Sequence, residues 1–143
     1  MLVDANLLLY AVHEGSEHHA AARDWLSEQL NGPQRVGLPW QSLAAFLRIA
    51  THPRAFERPL SGREAWARIE DWLAASAAWI PVPGPRHPQI VGDLIARHDV
   101  RGNLVPDTML AALAIEHGLP LYSTDGDFAR FDELRWANPL TSS

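Results

Sequence analysis

The sequence predicts an α/β fold built on a mostly parallel sheet that helices cover on both faces. Short apolar runs, too brief for helices, alternate with amphipathic stretches of helical period along the whole chain. Many of the helical stretches open on a capping residue or a proline. No repeat, low-complexity tract or long charge block divides the 143 residues, a length that suits one domain spanning 1–143.

The elements follow in order. "LVD" reads as a short strand running straight into the helical "NLLLYAV". "SEHHAAARDWLSEQLN" is amphipathic, with Ala22, Trp25, Leu26 and Leu30 on one stripe and Ser16 as the expected N-cap. "RVGL" is a second strand. "PWQSLAAFLRIATH" starts on a proline suited to a first helical turn, and Trp40, Leu43, Ala44 and Leu47 form its expected core face. "HPRAFERPL" is a proline-punctuated loop, and "SGREAWARIEDWLAAS" a capped helix with Trp66, Ile69 and Leu73 inward. "WIPVP" is a strand kept short by proline, "HPQIVGDLIARH" a helix and "DVRGN" a turn. "VPDTMLAALAIEHG" is a helix with Pro106 and Asp107 in its first turn and Gly118 at its stop. "LPLYS" is a strand, "TDGDFARF" a turn entering a short helix, and "LRWAN" the last strand.

Composition excludes several chemistries. Cysteine is absent, which removes disulfides, thiolate metal sites and cysteine nucleophiles. All 12 basic side chains are arginine, so there is no phosphate-loop lysine and no Schiff base. The all-arginine usage suits bidentate phosphate contact and equally fits a biased genomic base composition. A net charge of −5 argues against a general nucleic-acid coat but leaves specific RNA contact open. The apolar runs "LLLYAV" and "MLAALAI" fall short of a membrane span, and no basic segment precedes the first. The expected location is the cytoplasm, away from membranes.

Asp4 and Asn6 interrupt an otherwise aliphatic start, and a carboxylate buried there is costly unless paired. In a parallel sheet, functional groups gather beyond the carboxyl ends of strands. Asp4 ends the first strand, Asp125 and Asp127 follow "LPLYS", and Asp107 lies in a first helical turn. Carboxylates brought to one edge call for a cation, and an all-oxygen donor set suits Mg²⁺ or Mn²⁺. Singly, Asp107 also reads as a complement to its helix dipole, and Asp125 and Asp127 as turn formers. Asn6 is either a helix cap or an outer partner that orients Asp4.

"LVDANLLLYA", "GNLVPDTMLAALAIEHG" and "LYSTDGDFARFDELRWANPL", with "WQSLAAFLRIATHPRAF" between them, resemble the PIN-domain ribonucleases of the VapC toxin class. The resemblance covers most of the chain. It implies a three-layer α/β/α domain with a central, mostly parallel sheet of about five short strands. It further implies Mg²⁺- or Mn²⁺-dependent hydrolysis of RNA, a cognate antitoxin and a homodimer. By motif match, Asp4, Asp107 and Asp125 are the catalytic, metal-holding set, with Asn6, Thr124 and Asp127 as supporting positions. Asn103 either caps the helix or reaches the same edge, and Arg48 either contacts phosphate or pairs with an acidic neighbour.

The sequence departs from the family pattern at one position. Many PIN domains carry a glutamate three residues before an arginine like Arg48, where this chain has Ala45. Gln41, Ala45, Arg48 and His52 share a polar helical stripe expected to face the cleft. Three outcomes are open: a site with fewer protein ligands and more water, compensation by Asp127 or by Gln41 through water, or weak activity in a fold retained for antitoxin binding. The seven histidines show no chelating pattern, His13 with His18 being the nearest approach to one. The tryptophans read mostly as core, with Trp40 as the one candidate for base stacking, and the exposed part of "AWARIEDWLAA" as a candidate dimer or antitoxin surface.

Overall fold

The computed structural model describes residues 1–141. Its elements, in chain order, are β1 (Leu2–Val3), α1 (Ala5–Val12), α2 (His19–Leu30), β2 (Val36–Gly37), α3 (Trp40–Ala50) and α4 (Gly62–Ala74). They continue as β3 (Ala78–Trp79), α5 (His87–His98), α6 (Leu104–His117), β4 (Leu121–Tyr122), a 3₁₀ turn (Gly126–Arg130) and β5 (Trp136–Ala137). All strand pairs are parallel, in the order β3-β2-β1-β4-β5. The α/β class is as expected, although each strand keeps only two paired residues.

Strand β1 is central, and its two residues face opposite ways. Val3 packs with Leu7, Leu26, Leu43 and Phe46 under α1 to α4, while Leu2 packs with Leu94, Leu110, Leu121 and Phe128 under α5, α6 and the 3₁₀ turn. Both are fully buried, as a parallel strand covered on both faces requires. Leu2 pairs with Gly37 on one side and Leu121 on the other. A β-carbon on Gly37 would lie 3.0 Å from the Met1 carbonyl oxygen and 3.1 Å from the Leu2 side chain, so glycine allows this close strand approach. With β1 in the middle, the residue after it arrives at the centre of the sheet's carboxyl edge. That residue is Asp4.

Several local expectations are corrected. The buried side of α3 is Ser42, Leu43, Phe46 and Ala50. Trp40 and Ala44 are exposed and Leu47 half-buried, because the helix is rotated so that Phe46 enters the core. In α4 the buried residues are Ala65 and Ile69, and Trp66 lies outside on Trp40. Ser16 does not cap α2, which starts three residues later; its hydroxyl accepts from the His18 amide at 3.1 Å. The third strand, Ala78–Trp79, starts one residue before "WIPVP" and keeps only its first residue, since the prolines at 81 and 83 cannot donate to a ladder. The expected caps of α4 and α6 are present: Ser61 and Glu64 form a reciprocal capping box, and Gly118 takes the left-handed conformation at φ 66°.

Two side-chain bonds hold α3 and α6 at the edge where Asp4 emerges. The buried Ser42 hydroxyl donates to the Val3 carbonyl at 2.7 Å. Gln41 Nε2 donates to the Pro106 carbonyl at 2.7 Å, joining the start of α3 to the start of α6. No helix among the described residues is long and apolar enough to cross a membrane.

Ser42→Ala removes a buried hydrogen bond without changing the packing volume much. Its unfolding free energy in urea is expected to fall by about 1–2 kcal/mol, with an unchanged denaturant slope.

Candidate active site

Asp4 occupies the N-cap position of α1 in an extended conformation, and its Oδ1 accepts from the Ala5 amide at 2.8 Å. Its Oδ2 accepts from the Ser123 hydroxyl at 2.7 Å. Burial pushes its pKa up, and the charge of Asp125 adds to that, while the bonds from Ser123 and Ala5 oppose it. Asn6 is not the cap; Asp4 takes that place. Asn6 Nδ2 donates to Ser123 Oγ at 3.0 Å, and its Oδ1 accepts from the Thr124 amide at 3.4 Å.

Asp125 caps the 3₁₀ turn, with its Oδ1 accepting from the Asp127 amide at 2.9 Å, while its own amide donates to Ser123 Oγ at 3.0 Å. Asp107 stands in the first turn of α6, where Pro106 gives up no helical bond because its position has no partner to donate to. Carboxylate oxygens of Asp107, Asp125 and Asp127 all lie within 4.8 Å of one another. Asp107 and Asp125 are half-buried and Asp127 is exposed. Burial raises the Asp107 pKa to about 6, helped by the charges of Asp125, Asp4 and Asp127 and opposed by Arg130.

The donor set is therefore all carboxylate, crowded and short of positive charge. Oxygens this close fit around one hard cation after small side-chain movements. Such a cation would relieve the repulsion that raises Asp107. Asp4 is outside the mutually close trio but within electrostatic reach of Asp107 and Asp125. No histidine belongs to a close group of three or more metal-capable side chains among the described residues.

The remaining sequence candidates are placed less centrally. Thr124 enters through its backbone amide alone. Asn103 is exposed at the N-cap of α6 and makes no side-chain capping bond. Arg48 is exposed, with no side-chain hydrogen bond or ion pair among the described residues, so it pairs with no acidic neighbour. Ala45, half-buried on the same helix, offers no donor atom. Gln41 spends its amide on Pro106.

Sequence reasoning missed Ser123. It is fully buried, and its one hydroxyl joins Asp4, Asn6 and the Asp125 backbone. The available signal was a lone small polar residue ending the apolar strand "LPLYS" just ahead of two aspartates.

The family model described as PIN domain matches residues 1–134. The chain is 45% identical over 138 residues to Ribonuclease VapC37 of Mycobacterium tuberculosis, covering 96% of each protein. It is 39% identical over 140 residues to Ribonuclease VapC33 of the same species, covering 98% of each. Among solved structures, VapC20 of Mycobacterium tuberculosis, described as a sarcin-ricin loop cleaving toxin, superposes with a TM-score of 0.67 at 20% identity, covering 94% of this chain and 98% of that one. A chain of VapBC2 from Rickettsia felis, solved on a promoter DNA fragment, gives 0.67 at 16% identity and 96% coverage of both. At those identities, the structural likeness speaks for the fold.

The raised Asp107 pKa sets the sign of a stability effect in chelator. Folded Asp107 holds its proton more tightly than the unfolded chain does, so the carboxylate leaves stability unchanged in acid. It lowers stability progressively as pH rises from the ordinary 3.8 through about 6. In EDTA, Asp107→Asn is expected to melt with the wild type near about pH 3 and to be more stable near about pH 7.5. The gain is about 1 kcal/mol, because half-exposure screens the repulsion. Added Mg²⁺ or Mn²⁺ is expected to raise the wild-type melting temperature more than that of the variant.

Proposed function

The chain belongs to the PIN-domain family, and from that premise we propose that it is a divalent-metal-dependent endoribonuclease acting as the toxin of a toxin–antitoxin pair. The observation that carries this reading is the convergence of Asp107, Asp125 and Asp127 beside Asp4, with Asp107 raised to about 6 by burial and by its acidic neighbours. Near-full-length likeness to proteins named VapC ribonucleases supports the substrate class.

Asp4, Asp107 and Asp125 would hold Mg²⁺ or Mn²⁺, with Asp127, close to Asp107 and Asp125, as a fourth oxygen source. When bound, that ion supplies activated water and charge neutralisation for cleavage of an RNA phosphodiester. Ser123 and Asn6 keep Asp4 aimed at the edge, so the carboxylate needs no reorganisation as substrate arrives. Arg48, unpaired by any acidic neighbour among the described residues, is free to contact a substrate phosphate. Hydrolysis by activated water needs no side chain as a covalent nucleophile.

The toxin reading carries a cognate antitoxin as protein partner and a location in the cytoplasm. One PIN domain spanning 1–143 accounts for the whole chain. Ala45, in place of an acidic residue, favours a second reading: a catalytically weak fold serving mainly as an antitoxin-binding module. The preferred reading is the active one, because the trio of oxygens forms without a donor from α3.

Purified protein with structured RNAs and Mg²⁺ or Mn²⁺ separates the two. The expected result is cleavage that EDTA abolishes and that Asp4→Asn or Asp107→Asn lowers by at least about 100-fold. Ser123→Ala is expected to cost about 10-fold by loosening Asp4. Cleavage that survives EDTA and both aspartate substitutions overturns the site. Equal inertness of wild type and variants, with antitoxin binding intact, favours the binding module.

A further inference from the structure

One of the 12 arginines sits against the acidic edge itself. Arg130 ends the 3₁₀ turn that carries Asp127, and in such a turn residues three apart stand over one another. Its Nε donates to the Asp127 carbonyl at 3.2 Å, and a terminal nitrogen lies 3.9 Å from Asp127 Oδ1. Its charge also reaches Asp107, where it opposes the rise in pKa. By contrast, Arg23, Arg97 and Arg101 pair with acidic residues outside the site.

The way Arg130 is anchored leaves its working end open. The Nε bond to a backbone oxygen fixes the plane of the guanidinium without using either terminal nitrogen. At 3.9 Å the carboxylate of Asp127 is beyond hydrogen-bond reach, so those nitrogens donate to nothing among the described residues. The side chain is 38% exposed, enough for a ligand to approach. A guanidinium held along one edge and open at its fork matches two oxygens of a phosphate side by side. An arginine that only neutralised the acidic residues would instead close on a carboxylate, with bonds of about 2.7–2.9 Å.

The position also gives the charge two effects of opposite sign. A divalent cation arriving among Asp107, Asp125 and Asp127 meets the positive charge of Arg130 at close range and is repelled by it. An anionic phosphate brought to the same place is attracted by both. A residue that merely braced the turn would produce neither effect.

We propose that Arg130 is a phosphate-binding residue of this site: its open fork grips a phosphate of the RNA strand beside the acidic trio, and its charge lowers the affinity of the RNA-free protein for the cation. The proposal rests on the nuclease reading for the identity of the ligand, and adds to it a residue outside the acidic set.

The test reads the metal and the RNA separately. Mn²⁺ titrated calorimetrically into RNA-free protein is expected to bind Arg130→Gln about 5-fold more tightly than the wild type. A fluorescent single-stranded RNA, read by anisotropy at saturating Ca²⁺, is expected to bind the same variant about 10-fold more weakly. Arg130→Lys keeps the charge and loses the fork, so its Mn²⁺ affinity is expected within about 2-fold of wild type while its RNA affinity falls. Circular dichroism checks each fold, and Arg130→Met replaces Arg130→Gln should the latter misfold. Opposite shifts for metal and RNA support the proposal. Unchanged or weaker Mn²⁺ binding on loss of the charge overturns it and assigns Arg130 to bracing the turn; unchanged RNA binding overturns it equally. A wild type that shows both shifts yet cleaves no RNA sinks the nuclease reading and leaves this one standing. Cleavage that EDTA abolishes, with neither affinity shifted, does the reverse, and a wild type that binds no Mn²⁺ or no RNA overturns both.

Discussion

One hydroxyl ties the acidic edge together. Ser123 Oγ donates to Asp4 at 2.7 Å and receives bonds from Asn6 and from the Asp125 amide, joining strands β1 and β4 and helix α1 across more than a hundred residues of sequence. A hydroxyl has one proton to give and two lone pairs to offer, and here all three are used. Because the proton goes to Asp4, that carboxylate is held in one orientation. Because both lone pairs are occupied, the loop carrying Asp125 and Asp127 is pinned to the same point.

The sheet makes this possible. β1 is central and fully buried, so the residue following it has a fixed address. Carboxylates placed there lose water on one side and face each other on the other, and both effects raise Asp4 and Asp107 above ordinary carboxylates. A divalent cation suits that donor chemistry and would turn mutual repulsion into shared ligation.

Helix α3 shows how tertiary packing redirects a helix whose pattern is ambiguous. Both Trp40–Leu43–Ala44–Leu47 and Leu43–Phe46–Ala50 are apolar stripes. Phe46 fills the core against Trp72, and Ser42 finds the Val3 carbonyl, so the second stripe turns inward. The same rotation leaves Trp40 outside, where it meets Trp66, and keeps Gln41, Arg48 and His52 exposed. The exposed tryptophan pair and the polar stripe are thus two results of one rotation.

The sequence by itself determined the α/β class, the order of the helices, the caps at Ser61 and Gly118, and the aspartates as the residues needing explanation. Those are properties of short windows: period, punctuation, and a carboxylate among aliphatics. It did not determine that Asp127 rather than Asp4 completes the closest trio of oxygens, that Asn6 leaves the cap to Asp4, or that Ser123 is the hub. Nor did it reveal which tryptophans are core. Those depend on distances between residues about a hundred positions apart and on how each helix rolls against the sheet. Only the packed structure decides them, because the free energy of a rolled helix is summed over neighbours that no local window contains.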